Sequence, residues 1–181
     1  MIYNGNTLTE SALIVSFLLD NQPKSAILPL PTDPDGPLAR YRLNFLVDTY
    51  FTKVNPLMFK MVGAATPDIQ TTHVNSILKI VSTEIQPLLA NKTGPGPFFN
   101  GSTVLTYAEV MIAPFVLRLY DWADDVIWPR ALAEGFEKLP VFDAWAKVCM
   151  QHESVMYVYD KAMRLRIHER LPRAKAKYAD A

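Results

Sequence analysis

Apolar residues in this chain recur at helical spacing and almost nowhere in strict two-residue alternation, and this restricts it to an architecture of helix packed on helix. Ile77, Leu78, Val81, Ile85 and Leu88 trace one face of a 3.6-residue period. Strand content is therefore expected near zero. With 181 residues, half of them apolar, the chain has enough buried surface for one compact all-α domain plus a small appendage.

Punctuation residues divide the pattern. Thr9-Glu10-Ser11 precedes Ala12, Leu13, Ile14, Phe17 and Leu18, which predicts a short first helix ending near Asp20, Asn21 and Pro23. The cluster Asp33-Pro34-Asp35-Gly36-Pro37 predicts a turn that caps a second helix, running from about Leu38 towards Met61 with a bend at Asn55-Pro56, where proline removes a donor. Thr66-Pro67-Asp68 supplies a cap, a first-turn proline and a first-turn carboxylate, so a third helix starts there and is expected to fade near Pro87. Thr93-Gly94-Pro95-Gly96-Pro97 is a loop by composition. Thr106-Tyr107-Ala108-Glu109 is a capping box opening a helix that contains Pro114. Further helices are predicted over 129–136, 140–151 and 154–171. Gly5-Asn6 is turn chemistry with no strand before it, so the reading expects a missing upstream segment.

Eighteen basic residues balance eighteen acidic ones, and this neutrality argues for a small-molecule or protein partner rather than nucleic acid or an anionic membrane. The start carries no signal-peptide pattern and no apolar run of membrane-spanning length follows, so a cytoplasmic location is expected. The single cysteine, Cys149, fits a reducing compartment and reads as a packing residue. His73, His152 and His168 are scattered without metal-ligand spacing, so no metal is expected. The tail from Arg164 to Lys177 carries Arg164, Arg166, Arg170, Arg173, Lys175 and Lys177 against Glu169, which reads first as a solvated helix end and second as an anion-binding patch. Asp121, Asp124 and Asp125 beside Trp122 and Trp128 form an acidic-aromatic loop able to hold part of that tail.

Three segments carry a resemblance. Leu8 to Ile14, with its Glu10-Ser11 pair, resembles the junction that closes the glutathione site in glutathione transferases. Phe99-Asn100-Gly101-Ser102 followed by the Thr106–Glu109 box and Pro114 resembles that family's C-terminal-domain signature, with glutamate where the family usually places aspartate. Leu139 to Trp145 resembles the proline-led helix with an inward tryptophan that follows. The resemblance implies that residues 1–24 are a remnant of a thioredoxin-like glutathione-binding domain, 25–37 a linker, and 38–181 the helical C-terminal domain.

It further implies that Glu10 and Ser11 bind glutathione as co-substrate, Ser11 through the γ-glutamyl carboxylate and Glu10 through the ammonium. An apolar pocket for a small-molecule electrophile is implied between the second helix and the capping-box helix, with Tyr41, Phe45, Phe115, Leu119 and Tyr120 as candidates. A homodimer is implied through the first two helices. The family's thiol-activating Tyr, Ser or Cys belongs to a region before Met1, so the full-length form is expected to conjugate glutathione while residues 1–181 are expected to do so weakly. No catalytic residue is assigned. The alternative is a non-enzymatic transferase-like module that binds partners, as in translation-elongation or synthetase assemblies.

Overall fold

The computed structural model describes residues 1–22, 25, 27–157, 159 and 161–179, the side chains of Lys161 and Arg164 excepted. Pro23 and the Arg164 side chain, both used in the sequence reading, lie outside the described residues. The chain opens with a two-stranded antiparallel hairpin, β1 (Ile2–Tyr3) and β2 (Asn6–Thr7). Asn4 and Gly5 turn it, both at positive φ (47° and 78°), the combination a type I′ turn requires. This corrects the expectation of a turn without a strand: Ile2-Tyr3 is that strand, too short to show alternation.

Helix α1 (Ser11–Asn21) follows, and Tyr3 packs edge-on against Phe17 with ring centroids 4.9 Å apart. No residue of α1 is fully buried; Val15 and Leu19 lean on the core while Leu13 and Leu18 stay exposed. The connection to the bundle is pinned twice, by Tyr107 N–H donating to the Ile27 carbonyl at 2.8 Å and by Arg40 donating to the Pro29 carbonyl at 2.8 Å.

Two long helical rods form the centre. The first is α2 (Gly36–Thr49) and α3 (Asn55–Gly63), joined by a wide π-turn over Tyr50–Val54. The second is α4 (Pro67–Ile80) and α5 (Gln86–Ala90), joined by a π-turn over Val81–Ile85. Each wide turn sits directly ahead of a proline, Pro56 or Pro87. A proline ring cannot donate and collides with the carbonyl one turn back, and an extra residue in the preceding turn relieves both problems. The bend expected at Asn55-Pro56 is this widened turn, and by the same device the second rod runs past Pro87 to Ala90. Lys53 and Glu84, one from each wide turn, form an ion pair between the rods.

The remaining helices are α6 (Tyr107–Asp121), α7 (Ala131–Glu137), α8 (Pro140–Gln151), the single turn α9 (Glu153–Met156) and α10 (Lys161–Tyr178). The region expected as one helix over 154–171 is two, and the second continues through Pro172 to Tyr178. Helix α6 runs through the middle of the bundle, with Ala108, Ile112, Ala113, Val116 and Leu119 buried. Leu46, Tyr50, Met61, Ile77, Ile85, Phe136 and Phe142 complete the same core. Gln86 reaches the start of α8, its side-chain oxygen accepting the Val141 and Phe142 amides at 3.2 and 3.4 Å, which replaces the missing cap there.

The fold is thus an all-α bundle preceded by a small hairpin-and-helix element. Among the described residues no helix is long and apolar enough to cross a membrane.

Candidate functional site

Two places on the molecule have the chemistry of a binding site. The first is the start of α1. Glu10 holds the N-cap position at φ 64°, ψ 109°, outside the regions that a residue with a Cβ adopts cheaply, and its side chain makes no cap bond. Such a conformation costs about 1–3 kcal/mol and persists where its surroundings over-determine it, as in ligand clamps. The Glu10 carbonyl accepts the Ile14 amide at 3.0 Å, while Glu10 and Ser11 are both exposed. The first-turn amides of α1, a hydroxyl and a carboxylate therefore share one open corner, fit for an anionic group beside a cationic one.

The second is a cavity of about 690 Å³ at the end of the bundle, within the size range of small-molecule sites. Met58, Phe59 and Val62 of α3 form one wall. Phe115 and Arg118 of α6, with Trp122, Ile127 and Trp128 of the loop after it, form the second. The third is α10, with Ile167, Leu171, Ala174 and Tyr178 as its apolar stripe and Arg170, Arg173 and Lys177 beside it.

Each wall is positioned by packing that can be named. Phe115 meets Phe51 edge-on at 5.1 Å, and Phe51 meets Tyr50 at 5.6 Å, so a ladder of rings holds the floor. The Arg118 guanidinium lies over the Phe115 and Trp122 rings at 5.5 and 5.7 Å and donates to the Pro114 carbonyl at 2.8 Å.

The Trp122–Trp128 loop closes on itself: Trp128 N–H donates to the Trp122 carbonyl at 3.1 Å, and the Asp124 carboxylate accepts the Val126 and Ile127 amides at 3.0 and 2.9 Å. Asp124 also meets His168 of α10 at 3.0 Å, so the acidic-aromatic loop does hold the tail. Trp122 donates through its indole to the Tyr159 hydroxyl at 2.9 Å, which in turn donates to Asp121 at 2.6 Å. Burial, and the hydrogen bond to Asp121, push the Tyr159 hydroxyl well above the ordinary phenol range. Trp128 is 2% exposed and its indole N–H has no hydrogen-bond partner among the described residues.

Of the five residues named from sequence for the pocket, the cavity is lined by Phe115. Tyr41 and Phe45 stack on each other at 5.9 Å on the outer face of α2, and both are exposed. Leu119 is fully buried in the core. Tyr120, turned by roughly 140° about the helix axis from Phe115, lies against Phe136 at 5.3 Å and donates to Asp143 at 3.0 Å. Burial, then the Asp143 carboxylate, raise its hydroxyl far above the usual range. The cavity stripe is Phe115 and Arg118 of α6 with Trp122 just past its end, an i, i+3, i+7 set of which Phe115 alone was among the residues named from sequence for the pocket. On α10, Arg170, Arg173 and Lys177 repeat the same spacing, obscured by Pro172.

Cys149 is fully buried on α8, and desolvation, with the Glu109 carboxylate second, pushes its thiol far above the ordinary range. It is therefore no nucleophile in the folded chain. Among the described residues no group of three His, Cys, Asp or Glu side chains is placed to hold a metal.

No family model and no curated protein sequence matches the chain. Solved structures do. Glutathione transferase Omega 3C from Trametes versicolor superposes with a TM-score of 0.71 at 25% identity, covering 97% of this chain and 70% of its own. Rice GST1, in a structure with glutathione, superposes with a TM-score of 0.72 at 21% identity, covering 98% of this chain and 74% of its own.

Proposed function

We propose that this chain, which by its fold belongs to the glutathione transferase superfamily, presents glutathione at the start of α1 and a small electrophile in the cavity walled by α3, α6 and α10. The observation that carries the reading is the exposed Ser11-led helix start behind a strained Glu10. In this role the Ser11 hydroxyl and first-turn amides hold the γ-glutamyl carboxylate, and the Glu10 carboxylate meets the glutathione ammonium. The reaction is attack by the glutathione thiolate on an electrophilic carbon: a C–S bond forms and the leaving group departs with its electron pair.

Residues 1–24 serve the glutathione side, 25–37 link, and 38–181 supply the electrophile pocket. Thiol activation needs a group that no residue of 1–181 is assigned to supply, so slow turnover is expected. We place the protein in the cytoplasm as a homodimer.

The direct test is an amide-resolved NMR titration with millimolar glutathione. The amides of Glu10, Ser11 and Ala12 are expected to shift, and Ser11→Ala to weaken the effect. Amides that stay in place at saturating glutathione sink the reading. The exposed Tyr41–Phe45 stack favours a second reading, a transferase-like module that binds a protein through α2. No glutathione shift together with a stoichiometric protein partner protected at Tyr41 and Phe45 would favour it.

A further inference from the structure

The chain carries two Asn-Gly pairs in nearly the same local sequence, Tyr3-Asn4-Gly5-Asn6 and Phe99-Asn100-Gly101-Ser102. In each, an aromatic residue precedes the asparagine and an unhindered glycine amide follows it. Both asparagines are at positive φ, 47° and 57°, and so are both glycines, at 78° and 76°. Their intrinsic chemistry is therefore matched, and a difference in reactivity between them must come from the fold.

The fold treats them differently. Asn100 and Gly101 are locked into the loop before α6. The Asn100 carbonyl accepts the Thr93 and Gly94 amides at 3.2 and 3.1 Å, the Gly101 carbonyl accepts the Gly96 amide at 2.7 Å, and the Gly101 amide donates to the Phe98 carbonyl at 2.9 Å. Gly101 is buried, with Gly94 so near that a Cβ on Gly101 would lie 1.9 Å from the Gly94 carbonyl oxygen. Asn4 and Gly5 are exposed at the tip of the hairpin. The Gly5 amide lies outside the ladder, which pairs Ile2 with Thr7 and Tyr3 with Asn6, and it donates to no acceptor among the described residues. A Cβ on Gly5 would meet nothing within 4 Å. A hairpin this short opens cheaply, whereas opening the loop before α6 breaks buried hydrogen bonds.

We propose that Asn4 is a self-modification site, deamidating through its neighbour Gly5, and that the fold protects Asn100 from the same reaction. The Gly5 amide nitrogen, losing its proton to hydroxide, attacks Asn4 Cγ. An N–C bond forms, the Cγ–Nδ2 bond breaks, and the side-chain nitrogen leaves as ammonia with a proton from water. Water then opens the cyclic imide at either carbonyl, leaving an aspartate or an isoaspartate at position 4. Either product adds a negative charge, and isoaspartate also routes the main chain through the side-chain methylene. That extra atom shifts the turn that sets the register of β1 on β2, and with it the edge-on contact of Tyr3 with Phe17 of α1. The inference is independent of glutathione binding at Glu10 and Ser11.

The test incubates the native 181-residue chain in mildly alkaline buffer and follows both sites by peptide mass spectrometry. The readouts are the mass gain of amide to acid and the fragmentation that separates isoaspartate from aspartate. Asn4 is expected to react at least about tenfold faster than Asn100, since the locked loop must first give up its hydrogen bonds. The Asn4 rate is expected to rise in proportion to hydroxide concentration. In guanidinium chloride, where neither turn persists, the two sites are expected to react within about twofold of each other. Asn4→Gln, which requires a larger and slower ring closure, is expected to remove the reaction at position 4 and leave that at Asn100 unchanged. Equal rates in the native chain, or a faster Asn100, overturn the proposal. So does a lag at Asn100 that persists in guanidinium chloride, since the discrimination then lies in the sequence and not in the fold.

Discussion

The carboxylate of Glu109 accepts the indole N–H of Trp145 at 2.7 Å, across 36 residues of sequence. The same oxygen takes the Phe99 amide at 2.8 Å, and the other takes the Thr106 amide at 2.9 Å and the Thr106 hydroxyl at 2.6 Å. Four neutral donors thus surround one fully buried carboxylate. They tie the loop before α6, the capping box that opens it, and the tryptophan of α8 into one unit. Glutamate, one methylene longer than aspartate, closes the box and still reaches the tryptophan.

Glu109→Gln tests that unit. Its amide nitrogen must face either the Phe99 and Trp145 donors or the Thr106 amide, setting donor against donor in a fully buried site. A loss of about 2–4 kcal/mol of stability in urea unfolding is expected. A loss below about 0.5 kcal/mol, the ordinary range for surface substitutions, would show that the bonds are not made in solution.

Cys149 gives a pH signature. Its thiol is raised on folding, so the native state keeps a proton that the unfolded chain releases above its ordinary value of about 8.5. The stabilisation is whole below that pH and is lost as pH rises beyond it, by up to about 1.4 kcal/mol per pH unit. Unfolding of the native chain is therefore expected to steepen with pH between about 9 and 10 relative to Cys149→Ala. Parallel pH profiles for the two proteins would mean the thiol is solvated. Native Cys149 is also expected to ignore a thiol reagent until the chain unfolds.

The bundle was legible because each of its signals was local. Thr66 caps α4 through the Ile69 amide, and Thr106 and Glu109 close their box, as their spacing requires. Pro140 opens α8, and Gln151 ends it. The prolines were harder to read, since a widened turn before Pro56 or Pro87 depends on whether the surrounding rods need the helix to continue. Pro172 misled for the same reason. The cavity was the least legible, because it is made by three elements distant in sequence. Phe115 was found by type and the α10 cations were named as a charged tail, whereas placing them with Arg118 around one cavity needed knowledge of which helix faces they share.

The outer face of α1 and α2 predicts self-association. Leu13 is 66% exposed and Tyr41 62%, with Leu18, Leu38 and Phe45 also open to solvent. Exposed apolar side chains of this size favour a partner surface. Light scattering is expected to report a dimer for the native chain, and a shift towards monomer for Tyr41→Ser combined with Phe45→Ser. A strict monomer at high concentration would assign that face to another partner.

Gly63, at the end of α3, fixes the outer wall of the cavity. A Cβ there would lie 1.8 Å from the Tyr178 carbonyl oxygen and 2.3 Å from its carbon, both main-chain atoms that no rotamer change can move. The close approach lets Tyr178 stack on Phe59, ring centroids 5.0 Å apart, and brings Lys177 to the cavity mouth. Gly63→Ala must therefore push the last turn of α10 outward, at a cost of about 1–3 kcal/mol for overpacking. Because α10 meets the bundle mainly along α3, that cost falls on its docking rather than on the core around α6. Trypsin is expected to cut at Arg173, Lys175 and Lys177 several-fold faster in the variant, while the main urea transition moves little. Unchanged cleavage would mean that the end of α10 already stands away from Gly63 in solution and that the cavity lacks its third wall.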